Sequence, residues 1–249
     1  MNDRITLTGM VLSAFPIGEF DKRLVILTRE RGKITAFAKG AKRPNSTLLA
    51  AANPFVFGTF TVMEGRSAYR LFQTEVKNYF RELSQDMETA CYGSYFLEIA
   101  DYYTRENNDE LPMLKLLYAA LRALLNPKLD KRLIRRVFEL KAMTVNGEYP
   151  QVFACVNCGK EEELRAYLPE KEGVLCAACG EAHGGGVPLL ASTVYTLQYV
   201  ISSPPEKLFA FAVSAEVMKE FSWLVNRFCR KYMDREFRSL EILEMITNY

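Results

Sequence analysis

Along the first 80 residues, apolar and polar side chains alternate with a period of two, the pattern of half-buried strands. Ile5-Thr6-Leu7-Thr8-Gly9-Met10-Val11-Leu12 keeps this alternation over most of its length. Residues 24–28 form a second segment rich in β-branched side chains. The polar turn Arg29-Glu30-Arg31-Gly32 follows, with a glycine suited to positive φ. Residues 33–39 alternate again, which predicts a hairpin. Ile34, Ala36 and Ala38 would line one face, with Lys33, Thr35, Phe37 and Lys39 on the other. Gly40-Ala41-Lys42-Arg43-Pro44-Asn45-Ser46 reads as a loop. Residues 55–63 and 68–76 supply two more strands, joined by Glu64-Gly65-Arg66-Ser67. Five short strands in about 75 residues predict a small barrel of the oligonucleotide-binding (OB) type, although other small β-barrels fit the count.

Beyond residue 84 the period becomes helical. Met87, Cys91, Tyr95 and Ile99 recur at helical spacing, with Ser84 as the expected N-cap and Asp86 favourable in the first turn. Residues 111–125 predict a second helix, ended by Asn126-Pro127. Residues 130–145 predict a third, ended by Asn146-Gly147. Two more are expected at 191–201 and 214–233. The fold class is therefore α+β: a five-stranded barrel at 1–80, then an α-helical domain at 81–249, interrupted by an insert at about 151–187.

Charge sharpens this division. The 249-residue chain has a net charge of only +2. Residues 1–80, however, hold twelve bases against six acids, a net +6, and the remainder is −4. A basic barrel on a mildly acidic body points to a polyanion-binding module, against the simpler reading of chance asymmetry. The single histidine, His183, excludes most histidine-based catalysis. No phosphate-loop motif is present, which argues against ATP hydrolysis. No apolar run reaches the roughly 18 residues of a membrane span. No secretory signal precedes the first strand, so a cytoplasmic location is expected.

The candidate DNA-binding cations are Lys22, Arg23, Arg29, Arg31, Lys33, Lys39, Lys42, Arg43, Arg66 and Arg70. Phe20, Phe37, Tyr69 and Phe72 are interleaved with them. Cationic grooves with aromatic platforms suit single strands, because phosphates are held by charge and bases by stacking. Alternation alone leaves Phe37 and Phe72 open to either a core or a platform role. Two helical segments carry basic stripes as well. Lys128, Lys131, Arg132, Arg135 and Arg136 share one face, with Asp130 the one acid inside the stripe. Arg227, Arg230 and Lys231 form the other, followed by Arg235 and Arg238. Each is either a solvated face or a partner-binding surface.

The most specific chemistry lies in Cys155-Val156-Asn157-Cys158 and Cys176-Ala177-Ala178-Cys179, separated by seventeen residues. This spacing lets four thiolates surround one Zn2+ ion with no open position, a structural rather than catalytic site. Gly159 and Gly180, each directly after a pair, suit knuckle turns. Disulfides are the competing reading, disfavoured in a reducing compartment. His183 lies nearby, but four thiolates suffice. Cys91 and Cys229 sit in helical patterns as small hydrophobes.

The order of parts, together with Gly18-Glu19-Phe20-Asp21-Lys22-Arg23-Leu24-Val25-Ile26-Leu27-Thr28-Arg29-Glu30-Arg31-Gly32-Lys33 and Ala38-Lys39-Gly40-Ala41-Lys42-Arg43-Pro44-Asn45-Ser46, resembles the RecO family of bacterial recombination mediators. Arg238-Ser239-Leu240 is similar to that family's C-terminal helix. The resemblance implies a non-enzymatic protein that binds single- and double-stranded DNA and anneals complementary strands. It implies contacts with the tail of single-stranded-DNA-binding protein and, with RecR, help in loading RecA on coated strands. Two rival readings are a zinc-dependent nucleic-acid enzyme, which would need an open metal position, and a zinc-ribbon RNA-binding factor.

Overall fold

The computed structural model describes residues 3–184 and 186–247. The chain divides into two compact units, residues 1–127 with 237–249, and residues 128–236.

The first unit is built on five strands: β1 (Arg4–Ile17), β2 (Asp21–Thr28), β3 (Gly32–Ala38), β4 (Phe57–Glu64) and β5 (Tyr69–Asn78). They close into a barrel in the order β1-β2-β3-β5-β4, with β4 paired back to β1. The β3–β5 pair is parallel and the other pairs are antiparallel. Alternation sends Leu24, Ile26, Ile34, Ala36, Phe60, Val62 and Leu71 into the core. Ile34, Ala36 and Ala38 take the inner face of β3, as their spacing predicts. β1 runs five residues past its predicted end. A bulge between Val11 and Ser13 shifts its register and re-aims the residues that follow.

Residues 39–56 form turns rather than strand, and Ala41, Leu48, Ala52 and Val56 from this segment join the barrel core. Lys22 fastens it: its Nζ donates to the Ala52 carbonyl at 2.9 Å and to Asn53 Oδ1 at 2.8 Å. Gly32 ends the β2–β3 turn at φ +64°, where a Cβ would lie 2.3 Å from the Arg105 carbonyl oxygen. Only glycine fits both constraints.

Three helices complete this unit: α1 (Met87–Tyr103), α2 (Leu111–Leu124) and α7 (Arg238–Thr247). The N-cap of α1 is Asp86, not the expected Ser84. Residues 81–85 form a 3-10 turn, and the Asp86 carboxylate accepts from the Thr89 amide at 3.0 Å. A carboxylate there also meets the positive end of the helix dipole. α7 packs on α1: Ser239 Oγ donates to Glu98 at 2.9 Å, and Phe237 meets Tyr95 edge-on at 5.5 Å.

The second unit contains α3 (Lys131–Val145), then the cysteine insert with β6 (Leu164–Leu168), β7 (Gly173–Cys176), α4 (Ala177–His183) and β8 (Val187–Pro188), then α5 (Ala191–Ser202) and α6 (Ala215–Tyr232). The insert strands lie in the order β7-β6-β8. Lys141 links α3 to α5 by donating to the Ile201 carbonyl at 2.7 Å. Gln198 links α5 to the insert by donating to the Val152 carbonyl at 2.7 Å.

One buried charge organises α3. Glu139 is fully buried and accepts from Arg135 Nε and Arg136 Nη1, each at 2.8 Å. Burial alone would raise its pKa, but the guanidinium groups of Arg136 and Arg135 outweigh this and hold the carboxyl below its ordinary value. Glu139→Ala is therefore expected to cost about 3–5 kcal/mol, because two guanidinium groups lose their carboxylate where water reaches them poorly. The sign of the pH effect follows from the lowered pKa. The ion pair's contribution is full above the ordinary glutamate value of 4.5 and fades as the pH falls through the lowered one. Urea midpoints of parent and variant at neutral and acid pH check this. Equal midpoints at neutral pH refute it.

Candidate nucleic-acid interface and metal centre

Strand register places one row of side chains across the outside of the barrel. Phe15 on β1 pairs with Arg23 on β2, Arg23 with Phe37 on β3, and Phe37 with Arg70 on β5. The row continues from Arg70 to Met63 on β4 and returns to Arg4 on β1. Paired residues point to the same side of a sheet, so aromatic rings and guanidinium groups alternate at strand spacing. Phe15 is 49 % exposed and Phe37 is 40 % exposed. The core reading for Phe37 is thereby excluded.

Cation–π contacts hold these groups. Arg23 lies over Phe15 at 5.2 Å, while Arg4 at 4.2 Å and Arg70 at 4.8 Å both face the half-buried Phe72. The adjoining loops extend the patch. Arg43 covers the exposed Phe20 at 5.1 Å, and the Lys42 amide donates to the Phe20 carbonyl at 2.9 Å. Lys39, Lys42 and Arg43 are exposed in the β3–β4 connection, and Arg66 is exposed in the β4–β5 turn. The β1–β2 and β4–β5 loops and the β2–β3 face are where barrels of this type take oligonucleotides.

Other sequence candidates stand apart from this row. Arg29 pairs with Glu30 at 2.8 Å. Lys33 pairs with Asp101 at 3.0 Å. Arg31 is exposed at the β2–β3 turn, at the opposite end of β3 from Phe37. Lys22 serves the loop described above, and burial, with Lys42 nearby, lowers its pKa. Tyr69 is a correction: it is buried in the barrel core beside Leu71 and cannot be a platform. Phe15 and Arg4 are the residues that sequence reasoning missed. Alternation pointed to the first strand, but the bulge concealed where it ends.

The metal candidate is built differently at its two halves. Cys155 and Cys158 sit on a tight turn, in which the Gly159 amide donates to the Cys155 carbonyl at 2.8 Å. Gly159 has φ +78°, as a knuckle requires. Gly180 does not share that role, because it lies inside α4. Cys176 is instead the N-cap of α4, and Cys179 follows within its first turn, so helical geometry brings this pair together. The four sulfur atoms lie within 4.8 Å of one another, with Cys158 and Cys176 at 3.7 Å. Sulfur atoms around a tetrahedral ion at about 2.3 Å would be roughly 3.8 Å apart, so the cluster has metal-binding dimensions. His183, the last residue of α4, is not among the clustered ligands.

Protonation supports the same reading. Burial raises the Cys155 pKa, but amides of Cys176, Asn157 and Cys158 overcome this and bring it down to about 6. At Cys158 a backbone hydrogen bond from Lys160 favours the thiolate, yet the surrounding thiols outweigh it and push the value up to about 11. Neighbouring thiolates repel one another, and a cation held among the four sulfur atoms would relieve that repulsion. The remaining cysteines are separate; burial pushes the Cys229 thiol well up.

The basic stripes also differ from each other. Arg135 and Arg136 are committed to Glu139, and the exposed Arg132 pairs with Asp130 at 2.8 Å. Lys128 is exposed and Lys131 half-buried. On α6, Lys231 forms an ion pair with Glu172, while Arg227 and Arg230 are exposed.

Comparison with known proteins agrees with this architecture. Residues 1–80 match the family model for the recombination protein O N terminal region, and residues 84–241 match that for its C terminal region. DNA repair protein RecO of Alkaliphilus metalliredigens is 32 % identical over 97 % of this chain and 99 % of its own length. The RecO proteins of Desulforudis audaxviator and Acetivibrio thermocellus are 30 % and 27 % identical, over 94 % and 96 % of this chain and the same shares of their own. These matches, with the small barrel, the helices and the four-cysteine cluster, mark a DNA-repair and recombination protein of the mediator class. The chain belongs to the RecO family.

Proposed function

We propose that the barrel binds single- and double-stranded DNA through the row of alternating rings and guanidinium groups, and that the protein anneals complementary strands. The observation that carries this reading is the register Phe15–Arg23–Phe37–Arg70, which places stacking faces and phosphate ligands side by side. Lys39, Lys42, Arg43 and Arg66 extend the cationic track, and the remaining sequence candidates add long-range attraction. Within the family role, the chain acts with RecR to load RecA on strands coated by single-stranded-DNA-binding protein. That protein's acidic tail would be received beside α3, by the stripe that begins with Lys128, Lys131 and Arg132. Zn2+ held by Cys155, Cys158, Cys176 and Cys179 supports the insert and takes no part in chemistry. The barrel at 1–80 is the DNA-binding domain, the rest the partner-binding body, and the protein works in the cytoplasm on nucleoid DNA.

The test is annealing of complementary oligonucleotides, bare and coated with single-stranded-DNA-binding protein. Faster annealing in both cases is expected, without nucleotide. Absence of acceleration on bare strands would overturn the reading.

A further inference from the structure

One face of α6 joins an exposed indole to cations that form no salt bridge among the described residues. Lys219, Trp223, Arg227 and Arg230 follow one another at intervals of four, four and three, so they share one arc of the helix. All four are exposed. Trp223 is 42 % exposed, and its orientation is fixed by an edge-on contact with buried Tyr167 at 6.0 Å and 87°. Arg227 is steadied by the Pro169 carbonyl, to which it donates at 3.3 Å. Among the described residues, Lys219, Arg227 and Arg230 form no salt bridge. Two acids lie on or beside this arc: Glu216, toward the helix start, is hydrogen-bonded by Ser214, and the half-buried Glu220 accepts from the Leu190 amide and the Thr193 hydroxyl. This contrasts with α3, where Arg132, Arg135 and Arg136 are paired to acids of their own segment.

We propose that this face is a second contact for single-stranded polynucleotide, distinct from the barrel row. The indole stacks a base, while Arg227 and Arg230 take the phosphates on its flank. Adjacent turns of a helix repeat about every 5.4 Å, so the cations can follow a strand laid along α6. Every base has a π face, so contact of this kind tolerates any sequence. Guanidinium groups hold phosphate oxygens in pairs. An acidic peptide with an apolar tip fits less well, because it needs a pocket beside the charge. The groove between α5 and the start of α6 is lined by Tyr195, Tyr199, Phe211 and Val217, and includes no lysine or arginine. Here the cations stand beside a ring and the groove stands without cations. With a strand site on each compact unit, one chain holds two strands at once. This inference rests on the DNA-binding reading above.

Trp223 is the one tryptophan in the chain and therefore reports on its own site. Labelled oligothymidylate is titrated into the full-length protein at low salt. Label anisotropy reads binding anywhere, and tryptophan emission reads this face. Saturable quenching is expected in the parent. It should persist, at weaker overall affinity, in the barrel variant Arg23→Glu with Arg70→Glu. It should disappear in Arg227→Glu with Arg230→Glu, with affinity reduced about five-fold or more. Trp223→Phe should keep most of the affinity that Trp223→Ala loses. Circular dichroism confirms that each variant is folded. The proposal is overturned if the oligonucleotide binds by anisotropy without altering Trp223 emission. It is equally overturned if Arg227→Glu with Arg230→Glu leaves both signals unchanged, or if an acidic peptide quenches the indole and oligothymidylate does not. If neither signal responds in the parent, the DNA-binding reading falls with it.

Discussion

Replacing Cys176 with serine is expected to abolish zinc binding and unfold the insert between α3 and α5. Cys176 holds two positions at once, the end of β7 and the N-cap of α4. Around it the Val156 amide donates to the Val174 carbonyl and the Ala177 amide to the Glu163 carbonyl, each at 2.9 Å, so both cysteine pairs hang on this strand. The insert's three strands are four, five and two residues long. A sheet so short has little apolar area to offset ordering a segment of this length. Structural zinc contributes on the order of 10 kcal/mol of apparent folding free energy in small domains, enough to decide whether such a segment folds. Metal analysis should find one zinc per parent chain and none in the variant. Limited proteolysis should then cut the variant within 151–187, and chelation of the parent should reproduce the pattern. Trp223 emission should shift too, because Tyr167 on β6 is its edge-on partner. Parent protein purified without chelator and found to lack zinc would refute the assignment.

Reversing charge at Arg23 together with Arg70 is expected to weaken single-strand binding by about ten- to a hundred-fold at low salt and to flatten its salt dependence. Both are exposed on the outer face and both pair across Phe37, so their loss leaves the barrel core intact. Each phosphate contact on a single strand contributes about 0.7 to the slope of log affinity against log salt, so two lost contacts remove about 1.4. Phe37→Ala should act by the other route. It should cost about 1–3 kcal/mol through lost stacking and leave the slope unchanged. Arg29→Ala is the control, since that guanidinium already pairs with Glu30 and lies outside the row. Equal slopes in the Arg23/Arg70 variant and the parent, across a salt titration, would remove the row from the interface.

Much of this was legible because local periodicity is strong. Strands β2 to β5, the start of β1, and helices α1, α2, α3, α5 and α6 follow from alternation and helical spacing near their observed bounds. The four thiols follow from spacing alone. What escaped depends on distant partners. The Phe15–Arg23–Phe37–Arg70 row exists only through register, including a parallel β3–β5 pairing that no local pattern encodes. A bulge carried β1 past its apparent end and concealed Phe15. The α3 stripe looked interrupted by Asp130 alone because Glu139 lies one turn beyond it; burial turned that neighbour into the partner of Arg135 and Arg136. The short insert strands have too few residues to show a period.

The docking of α7 on α1 gives the chain a particular order of assembly. Residues 237–249 belong to the same compact unit as residues 1–127, and the whole second unit is threaded between them. During synthesis at about 5–20 residues per second, the barrel strands emerge well before the helix that covers Tyr95 and Glu98. α1 must therefore wait, its aromatic face uncovered, until the intervening 109 residues have left the ribosome. A nascent chain stalled before Phe237 would present that face to chaperones even with its barrel closed.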